Sequence, residues 1–329
     1  MKGKLLPYLM LLSWTVSVTL CAAEEFSQPG QSGFAVRWEN DTFGKSNANY
    51  TNGVSIALLR PGEGLLGSLW DLRGTVNGQK STVYELTQLQ FTASDINLGD
   101  PPPNDRPYAG LTYLAATTHL QREESLHSLK IIGGVVGPAS LAREIQSSAH
   151  QLMHQTSPQG WSTQLNNEPV VNGLYEYRHR FRLTPAKAAL GIELIPMGGA
   201  SLGNYLIQAQ SEVLVRIGYQ LADDFGATSL RGIGYLPLPR MEGSSPAWGI
   251  NAYVRGGVNL VARNLTLDGN TFARSKSVDK RRYVPVVEFG AALWSRRIMT
   301  TVSYQIWEAE FYGQPVKEGY GSILLAYLF

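Results

Sequence analysis

Hydrophobic and polar residues alternate in short segments along most of this chain, which is the pattern of β-strands with one apolar face. In the last segment, Ile323, Leu325, Tyr327 and Phe329 share one face, and the residues between them share the other. Residues 34–40 alternate in the same way near the N-terminus. The pattern therefore predicts a chain built mainly of strands.

Twelve segments show this alternation, and a closed single-chain barrel requires an even number of strands. They are residues 34–40, 51–60, 83–93, 110–121, 127–136, 171–183, 187–197, 205–219, 248–262, 283–294, 298–310 and 319–329. A final strand that ends in Phe329 is typical of bacterial outer-membrane barrels, although a buried edge strand of a soluble sandwich has the same pattern. Closure removes the exposed edges of a large sheet. We therefore predict an all-β fold, a twelve-stranded antiparallel transmembrane β-barrel with a short helix in an extracellular loop.

The joins between these strands fall into two groups. If the N-terminus begins in the periplasm, the outward joins are 41–50, 94–109, 137–170, 198–204, 263–282 and 311–318. The inward side then contains all the short joins, which are 122–125, 184–187 and 295–297, as expected for such barrels. Two inward joins, 61–82 and 220–247, are longer than this rule predicts.

The first 23 residues have the character of a secretory signal peptide. Two lysines precede an apolar run over residues 5–20, which is short for a membrane-spanning helix of about 20 residues. A lipoprotein modified at Cys21 is the alternative. We predict that residues 24–329 form the mature barrel domain, which leaves the periplasm, the exterior and the outer membrane as destinations.

Composition narrows the function further. Cys21 is the only cysteine, so the mature chain has no disulfide, no thiolate nucleophile and no zinc–cysteine site. The net charge is +2 with scattered basic residues, which argues against nucleic acid as a partner. Many Gly, Tyr and Trp residues with only 16% charged residues favour strands with aromatic belts, and hence the bacterial outer membrane.

The first outward join is unusually polar for a connector. The alternation of β-strand residues directs Asp41 and Thr51 toward the barrel interior, with Asn40 at the strand end, so an acid and a hydroxyl meet at the mouth. The alternative is an Asx-type turn that satisfies its own backbone. We treat these three residues as candidate catalytic groups.

The third outward join contains a predicted helix over Ser140–Gln155. An apolar stripe along it consists of Leu141, Ile145, Ala149 and Leu152. Gln146, His150 and His154 lie four residues apart on a neighbouring face, and histidine is the usual general base near neutral pH. The two histidines could also bind zinc, but the glutamate of a HExxH site is absent.

One serine motif is a weaker candidate. The sequence GASLG, residues 199–203, matches the G-x-S-x-G pattern around Ser201. That pattern needs a strand–turn–helix elbow in an α/β hydrolase, whereas here it is predicted at the tip of a hairpin. We do not assign Ser201 as a nucleophile.

Several motifs together resemble one family, the outer-membrane lipid A 3'-O-deacylases of the LpxR type. They are ENDTF (39–43), YTNG (50–53), DRPYAG (105–110), EIQSSAH (144–150) and QGWSTQLNNEP (159–169), in the family's order. The resemblance implies a calcium-dependent esterase in the outer leaflet that removes the 3'-linked acyloxyacyl group of lipid A. It places the family's catalytic residues on Asn40, Asp41, Thr51 and His150.

The resemblance implies a mechanism in which His150 activates water, Asp41 supports the imidazolium and Ca²⁺ stabilises the oxyanion. Two features differ from the family pattern. Gln155 and Thr156 stand near the position of a functional Glu about six residues after the histidine. A basic Lys-Arg pair has no equivalent in INLGDPPPN, residues 96–104. Glu168 is then the candidate carboxylate for the metal.

Two other functions fit the sequence. One is an outer-membrane phospholipase that acts on glycerophospholipids by similar chemistry. The other is a non-enzymatic, porin-like barrel, which needs an open polar lumen. In each case we expect a monomer in the outer membrane; in the deacylase, lipopolysaccharide is the substrate and the active site faces the outer leaflet.

Overall fold

The chain forms one antiparallel sheet that closes on itself. A computed structural model of the protein describes residues 32–44, 49–71, 77–152, 154, 156–185, 188–239, 247–314 and 317–329. Its strands are β1 (Gly33–Asn40), β2 (Tyr50–Pro61), β3 (Gln79–Phe91), β4 (Ala109–Gln121), β5 (Ser125–Val136), β6 (Glu168–His179), β7 (Phe181–Arg182), β8 (Leu190–Gly203), β9 (Leu206–Tyr219), β10 (Trp248–Asn264), β11 (Tyr283–Ser295), β12 (Ile298–Trp307) and β13 (Glu318–Leu328). Its helices are α1 (Ala142–Leu152) and α2 (Leu265–Asp268).

The strands make a barrel with twelve positions around its wall. Each long strand pairs antiparallel with its neighbour in the chain, and β1 pairs with β13 to close the sheet. The two-residue β7 pairs with β8 directly after β6 does, so β6 and β7 occupy one position. The predicted twelve-stranded barrel is confirmed, and every predicted strand coincides with an observed one.

Alternation along each strand sorts the side chains between the two faces of the wall. On β1, Phe34 and Val36 are exposed on the outer face, while Ala35, Arg37 and Glu39 are buried inside. A closed wall with an apolar outer face satisfies the backbone within the sheet, as a lipid environment requires. The interior, by contrast, contains many charged side chains.

One predicted join proved to be a strand. Residues 198–204 were expected to form an outward loop, but β8 continues through Gly203 and pairs with both β6 and β9. A Cβ at Gly199 would lie 2.6 Å from the Tyr175 carbonyl oxygen, so glycine is what lets the strands approach. Ser201 is buried in this strand and donates to the Leu206 carbonyl at 3.3 Å, away from any nucleophile elbow.

The long join between β9 and β10 folds back into the barrel. We call its residues 220–239 the plug. The plug explains why this join is longer than a turn requires. Its buried side chains are Ala222, Asp224, Phe225, Ala227, Thr228, Ser229, Leu230, Ile233 and Tyr235.

The barrel wall holds the plug mainly through its backbone. The plug forms no strand or helix, so its carbonyl groups need donors from elsewhere. Inward-facing cations supply them: the pairs are Arg37 with Thr228, Lys130 with Ile233, Arg178 with Phe225 and Ala227, and Arg216 with Ala222. Each cation also has a carboxylate partner, in the pairs Arg37–Glu39, Lys130–Glu85, Arg178–Glu176 and Arg216–Glu193.

The other long join, between β2 and β3, lies against the outer face of the wall. Trp70 donates from its indole nitrogen to the Thr118 hydroxyl at 3.0 Å, and its ring packs on His127. Thr118 lies on the same face of β4 as exposed Leu114, which identifies the outer face. This join therefore adds an aromatic cover to the end of the barrel where the chain termini lie.

The predicted signal peptide, residues 1–23, lies outside the described residues. Among the described residues, no helix is long and apolar enough to cross a membrane.

Candidate active site

The predicted site residues lie at one end of the barrel. Antiparallel pairing brings the joins after β1, β3, β5, β8, β10 and β12 to the same end. We call this the helix end, because α1 lies in the join after β5. The chain termini and the joins predicted at 122–125, 184–187 and 295–297 lie at the opposite, terminal end.

Asn40 has the hydrogen bonds of a turn-forming residue. Its amide oxygen accepts from the Thr42 backbone at 2.9 Å, and its amide nitrogen donates to the Thr51 carbonyl at 3.1 Å. The first bond is an Asx-type contact at the start of the 3-10 turn Asp41–Gly44. Asn40 thus ties the end of β1 to the start of β2, and it places buried Asp41 at the head of the turn.

Thr51 sits at an irregularity in the wall. The register between β2 and β3 shifts between Tyr50 and Asn52, which leaves Thr51 as the extra residue of a bulge. Bulges re-aim side chains, and the Thr51 hydroxyl lies 2.7 Å from the Thr92 hydroxyl. The structure therefore joins Asn40 to Thr51, and Thr51 to Thr92, in one polar group at the helix end.

Asn49 completes this polar group, although the sequence analysis did not select it. Its side chain is fully buried, and among the described residues neither its amide oxygen nor its amide nitrogen has a hydrogen-bond partner. Its φ of 71° lies in the left-handed region, which asparagine tolerates better than most residues. A buried unpartnered amide is costly, so it indicates a binding partner such as water or a cation.

The donor atoms here are of the kind that calcium uses. Asp41, Asn49 and Thr51 offer carboxylate, amide and hydroxyl oxygens, and Ca²⁺ prefers oxygen ligands of these types. Among the described residues, no cluster of three or more His, Cys, Asp or Glu side chains has the arrangement of a metal site. The fit therefore rests on neutral oxygens together with Asp41.

Helix α1 is held close to the wall at its N-terminal end. The side chains of Gln88 and Gln90, on β3, donate to the carbonyls of Ser140 and Ala142. Gly110 lies directly beneath, where a Cβ would collide with the Ala142 methyl group. This explains the small residue at the end of the DRPYAG motif.

The ring of His150 is oriented by the chain that follows the helix. Its Nδ1 atom lies 2.7 Å from the carbonyl oxygen of Thr156. A carbonyl only accepts, so Nδ1 carries the proton and the neutral ring has its lone pair on Nε2. One turn earlier, Gln146 is buried and accepts from the Trp161 indole at 2.8 Å. His154 follows the helix and is exposed.

The apolar stripe of α1 does not pack on the barrel, contrary to the usual expectation for such a stripe. Leu141 is 57% exposed, Ile145 49% and Leu152 67%. The buried positions are instead Ala142 and Gln146, because hydrogen bonds from β3 and Trp161 hold this face inward. The helix therefore presents hydrophobic side chains to its surroundings beside His150.

The DRPYAG motif is a structural clamp. Arg106 is fully buried, and it donates to Glu310 at 2.7 Å and to the Thr266 hydroxyl at 2.8 Å. These bonds fasten the join after β3 to the joins after β10 and β12. Tyr108 packs edge-on against Trp161, and burial raises the pKa of Tyr108 to about 12, so its hydroxyl stays neutral.

Glu168 occupies a similar holding position. Its Oε2 atom accepts from the backbone of Thr271 at 2.7 Å and of Phe272 at 3.2 Å, and from the Asn270 amide at 3.2 Å. Its Oε1 atom accepts from Asn204 at 3.1 Å. The carboxylate is thus fully engaged in fastening three joins together, and its role as a metal ligand stays a prediction.

The tip of the plug reaches the floor of the site, which sequence reasoning missed. Arg231 lies over the Trp307 ring at 3.8 Å and forms an ion pair with Glu310. The Glu39 carboxylate accepts from the Leu230 backbone at 3.0 Å and from the Tyr50 hydroxyl at 2.8 Å. No local pattern could reveal how the plug is held, because Leu230 lies 191 residues from Glu39 and Arg231 lies 79 residues from Glu310.

One solved structure shares this fold closely. LpxR from Salmonella typhimurium is similar with a TM-score of 0.75 and 16% identity, over 90% of this chain and 100% of that one. The β domain of the Bordetella autotransporter BrkA gives a TM-score of 0.45 and 10% identity, over 92% of this chain and 99% of that one. No curated protein matches the chain.

The sequence itself gives the more specific result. The family model described as Outer membrane protein LpxR matches residues 8–329, nearly the whole chain. The resemblance found in the motifs is thereby confirmed, and with it the outer membrane as the family's location. This chain belongs to the LpxR family of outer-membrane proteins.

Proposed function

We propose that this protein is a calcium-dependent ester hydrolase that removes the 3'-linked acyloxyacyl group from lipid A in the outer leaflet. Family membership supports the reaction class. The observation that carries the proposal is the oriented ring of His150, whose Nδ1 is held by the Thr156 carbonyl. That bond leaves Nε2 as the basic nitrogen, which is the arrangement a general base requires.

The chain's own residues account for the proton transfers. Nε2 of His150 takes a proton from water, and the water oxygen attacks the ester carbonyl carbon. Collapse of the tetrahedral intermediate breaks the ester C–O bond, and the imidazolium returns the proton to the departing 3' oxygen. The products are a free 3'-hydroxyl on lipid A and the acyloxyacyl carboxylic acid.

Asp41, Asn49 and Thr51 are the residues that would hold calcium. When bound, Ca²⁺ supplies positive charge to the developing oxyanion, which is commonly the largest electrostatic contribution in acyl transfer. Asp41 also supports the imidazolium form of His150. Asn40 fixes the turn from which Asp41 projects.

The exposed stripe of α1 supports a lipid substrate. Ile145 and Leu152 on the helix that carries His150, with Leu141 directly before it, offer an apolar surface. Acyl chains gain about 25 cal/mol for each Å² of apolar surface removed from water, so such a stripe favours a substrate with long chains. We infer that it contacts the acyl groups next to the reacting ester.

The porin-like alternative is disfavoured by the plug. Two cavities that the described residues leave along the plug measure about 20 and 30 Å³, which is room for one or two water molecules each. The phospholipase alternative has no such obstacle, and the test below separates it.

The deciding experiment is mass analysis of lipids from cells that express the chain, with calcium present or chelated. We expect loss of the 3' acyl groups of lipid A in calcium and none for His150→Ala. The matched control is His154→Ala, an exposed histidine that should leave the reaction unchanged. Unchanged lipid A with new lysophospholipid would replace the proposal by a phospholipase, and no change in either lipid would leave a non-enzymatic barrel.

A further inference from the structure

Positive charge is concentrated in one join at the helix end. Basic residues are spread along most of the chain, but residues 263–282 contain six Lys or Arg and only two Asp. This stretch spans the end of β10, helix α2 and the join that leads to β11. Its excess of positive charge is larger than that of any other part of the rim described above.

Three of these cations are used within the protein. Arg263 donates to the carbonyls of Asn204 and Gly269, and Lys280 pairs with Asp268 at 2.7 Å. Lys276 pairs with Asp100 and donates to the Pro101 carbonyl at 3.2 Å. These bonds shape the join and engage N–H groups of all three side chains within the protein.

The other three cations are available. Arg274, Arg281 and Arg282 are exposed, and within the described residues none of their guanidinium groups has a hydrogen bond or an ion pair. Arg281 lies 5.2 Å from the Tyr312 ring centre, which leaves its N–H groups free. Of the two aspartates in this join, Asp268 pairs with Lys280, while exposed Asp279 has no side-chain partner in the described part of the chain. We call the three arginines the arginine platform.

The platform is held in place by backbone bonds. The Arg281 nitrogen donates to the Glu310 carbonyl at 2.7 Å, and the Tyr312 nitrogen donates to the Asp279 carbonyl at 2.8 Å. The Arg282 carbonyl accepts from Val261 at 2.8 Å. Since these bonds fix the backbone before any ligand arrives, less conformational entropy is lost on binding.

The platform adjoins the join that carries His150. The Arg274 carbonyl accepts from the Asn166 side chain at 3.1 Å, and Asn166 ends the segment that begins after α1. Lys276, in residues 263–282, also fastens the platform's own join to Asp100 in residues 96–104, at the same end of the barrel.

Resting on the function proposed above, we propose that the arginine platform binds a phosphate group of lipid A and positions the glycolipid for reaction at His150. Guanidinium groups bind phosphate in a planar, two-point fashion that ammonium groups do not reproduce. Exposed Tyr283 and Phe272 flank the platform, as aromatic residues do at a lipid interface.

The test measures binding without turnover. Purified His150→Ala protein in uncharged detergent micelles is titrated with lipid A bearing both phosphates and with its dephosphorylated form. The same titrations are made with a second variant, in which Arg274→Ala, Arg281→Ala and Arg282→Ala are combined with His150→Ala. We expect the triple change to weaken binding of the phosphorylated form by about tenfold or more and to leave the dephosphorylated form unaffected.

The controls decide between a phosphate subsite and general attraction. Arg60→Ala with Arg297→Ala removes two exposed arginines at the terminal end, and it should leave both titrations unchanged. Lysine at the three platform positions should restore only part of the affinity. Equal losses for lipid A and for phosphatidylglycerol micelles would overturn the assignment to lipid A.

The outcome is separable from that of the proposed reaction. If the unmodified enzyme deacylates lipid A but the triple variant binds it normally, the platform assignment is wrong and the reaction stands. If the protein does not deacylate lipid A but the triple variant loses phosphate-dependent binding, the platform stands and the reaction does not.

Discussion

His150 and Thr156 are joined by a 2.7 Å hydrogen bond from Nδ1 to the backbone carbonyl oxygen. Thr156 is six residues after the histidine, close to where a functional Glu was expected from the family. The side chain there is not acidic, but its carbonyl supplies an acceptor that fixes the ring. An orienting contact of this kind decides which ring nitrogen acts as the base.

The first prediction concerns that tautomer. We expect the neutral His150 ring to carry its proton on Nδ1, because only a donor can bond the Thr156 carbonyl. Long-range ¹⁵N–¹H correlation spectra of histidine-labelled protein in micelles measure it directly, with His150→Ala to assign the signal. A proton on Nε2 would show that the carbonyl does not orient the ring.

The second prediction separates two roles of Thr51. Thr51→Val and Thr92→Val each remove the hydroxyl pair at 2.7 Å, and each should cost about 1 kcal/mol of unfolding free energy. If Thr51 also serves the reaction, Thr51→Val should lower kcat/KM by about tenfold more than Thr92→Val does. Thr51→Ser should recover most of the activity. Equal kinetic losses would reduce Thr51 to a structural role.

The third prediction concerns Asn49 and calcium. Asn49→Gly removes the unpartnered amide and keeps the positive φ that glycine adopts freely. In the presence of a chelator, the variant should therefore unfold at a urea concentration at least as high as that of the parent protein. In calcium, the parent should gain about 2.7 kcal/mol at a concentration of 100 Kd, while the variant should gain clearly less.

Urea unfolding in micelles, with and without calcium, measures this difference independently of activity. Asn97→Ala, an exposed asparagine in the join after β3, is the matched control and should respond to calcium like the parent. An equal calcium response in Asn49→Gly would remove Asn49 from the ligands.

The fourth prediction concerns Glu168. Glu168→Ala removes the carboxylate that accepts from the Thr271 backbone and the Asn204 amide, and hydrogen bonds to a charged group are the stronger ones, so it should cost about 2 kcal/mol of stability. It should also make residues 265–282 more sensitive to protease, since that join loses its anchor. The calcium response should stay intact. Glu123→Ala, at an exposed position, should change none of these; a lost calcium response in Glu168→Ala would restore Glu168 as a metal ligand.

The fifth prediction concerns conduction. The parent protein should give no steady current in planar bilayers, because the plug fills the barrel. Replacing residues 225–236 by a short Gly-Ser linker should open a conducting path, since the wall cations would then face water. A current of similar size from the parent protein would contradict the plugged state and favour a pore.

Much of the wall was predictable because alternation is a local property. The alternation of Phe34, Val36 and Trp38 by itself indicates an apolar outer face, and few structures other than a barrel strand have such a face toward lipid. The join at 198–204 was misjudged because glycines usually end strands. Here Gly199 and Gly203 instead let β8 approach β6, which depends on a neighbour distant in sequence.

The interior was not predictable for the same reason. Arg37 and Lys130 are inward-facing charges on isolated strands, and nothing near them in sequence names the carbonyls they bind. The exposed stripe of α1 was also hidden, since hydrophobic periodicity identifies a helix face but not what covers it. The role of Asn49 was hidden as well, because its amide can be recognised as buried and unpartnered only once the positions of its neighbours are known.

The seam between β1 and β13 has a consequence for biogenesis. Gly33 pairs with Leu328, so the first and last strands of the cylinder meet only once the whole polypeptide has been exported. Until then, the sheet is open at β1, and the Arg37 side chain on that edge strand is not yet enclosed by a complete barrel wall. If the sheet entered a bilayer before β1 and β13 paired, Arg37 and the other inward-facing charged side chains would be exposed to lipid. Barrel closure and membrane insertion are therefore expected to be coupled, with the plug already inside the barrel.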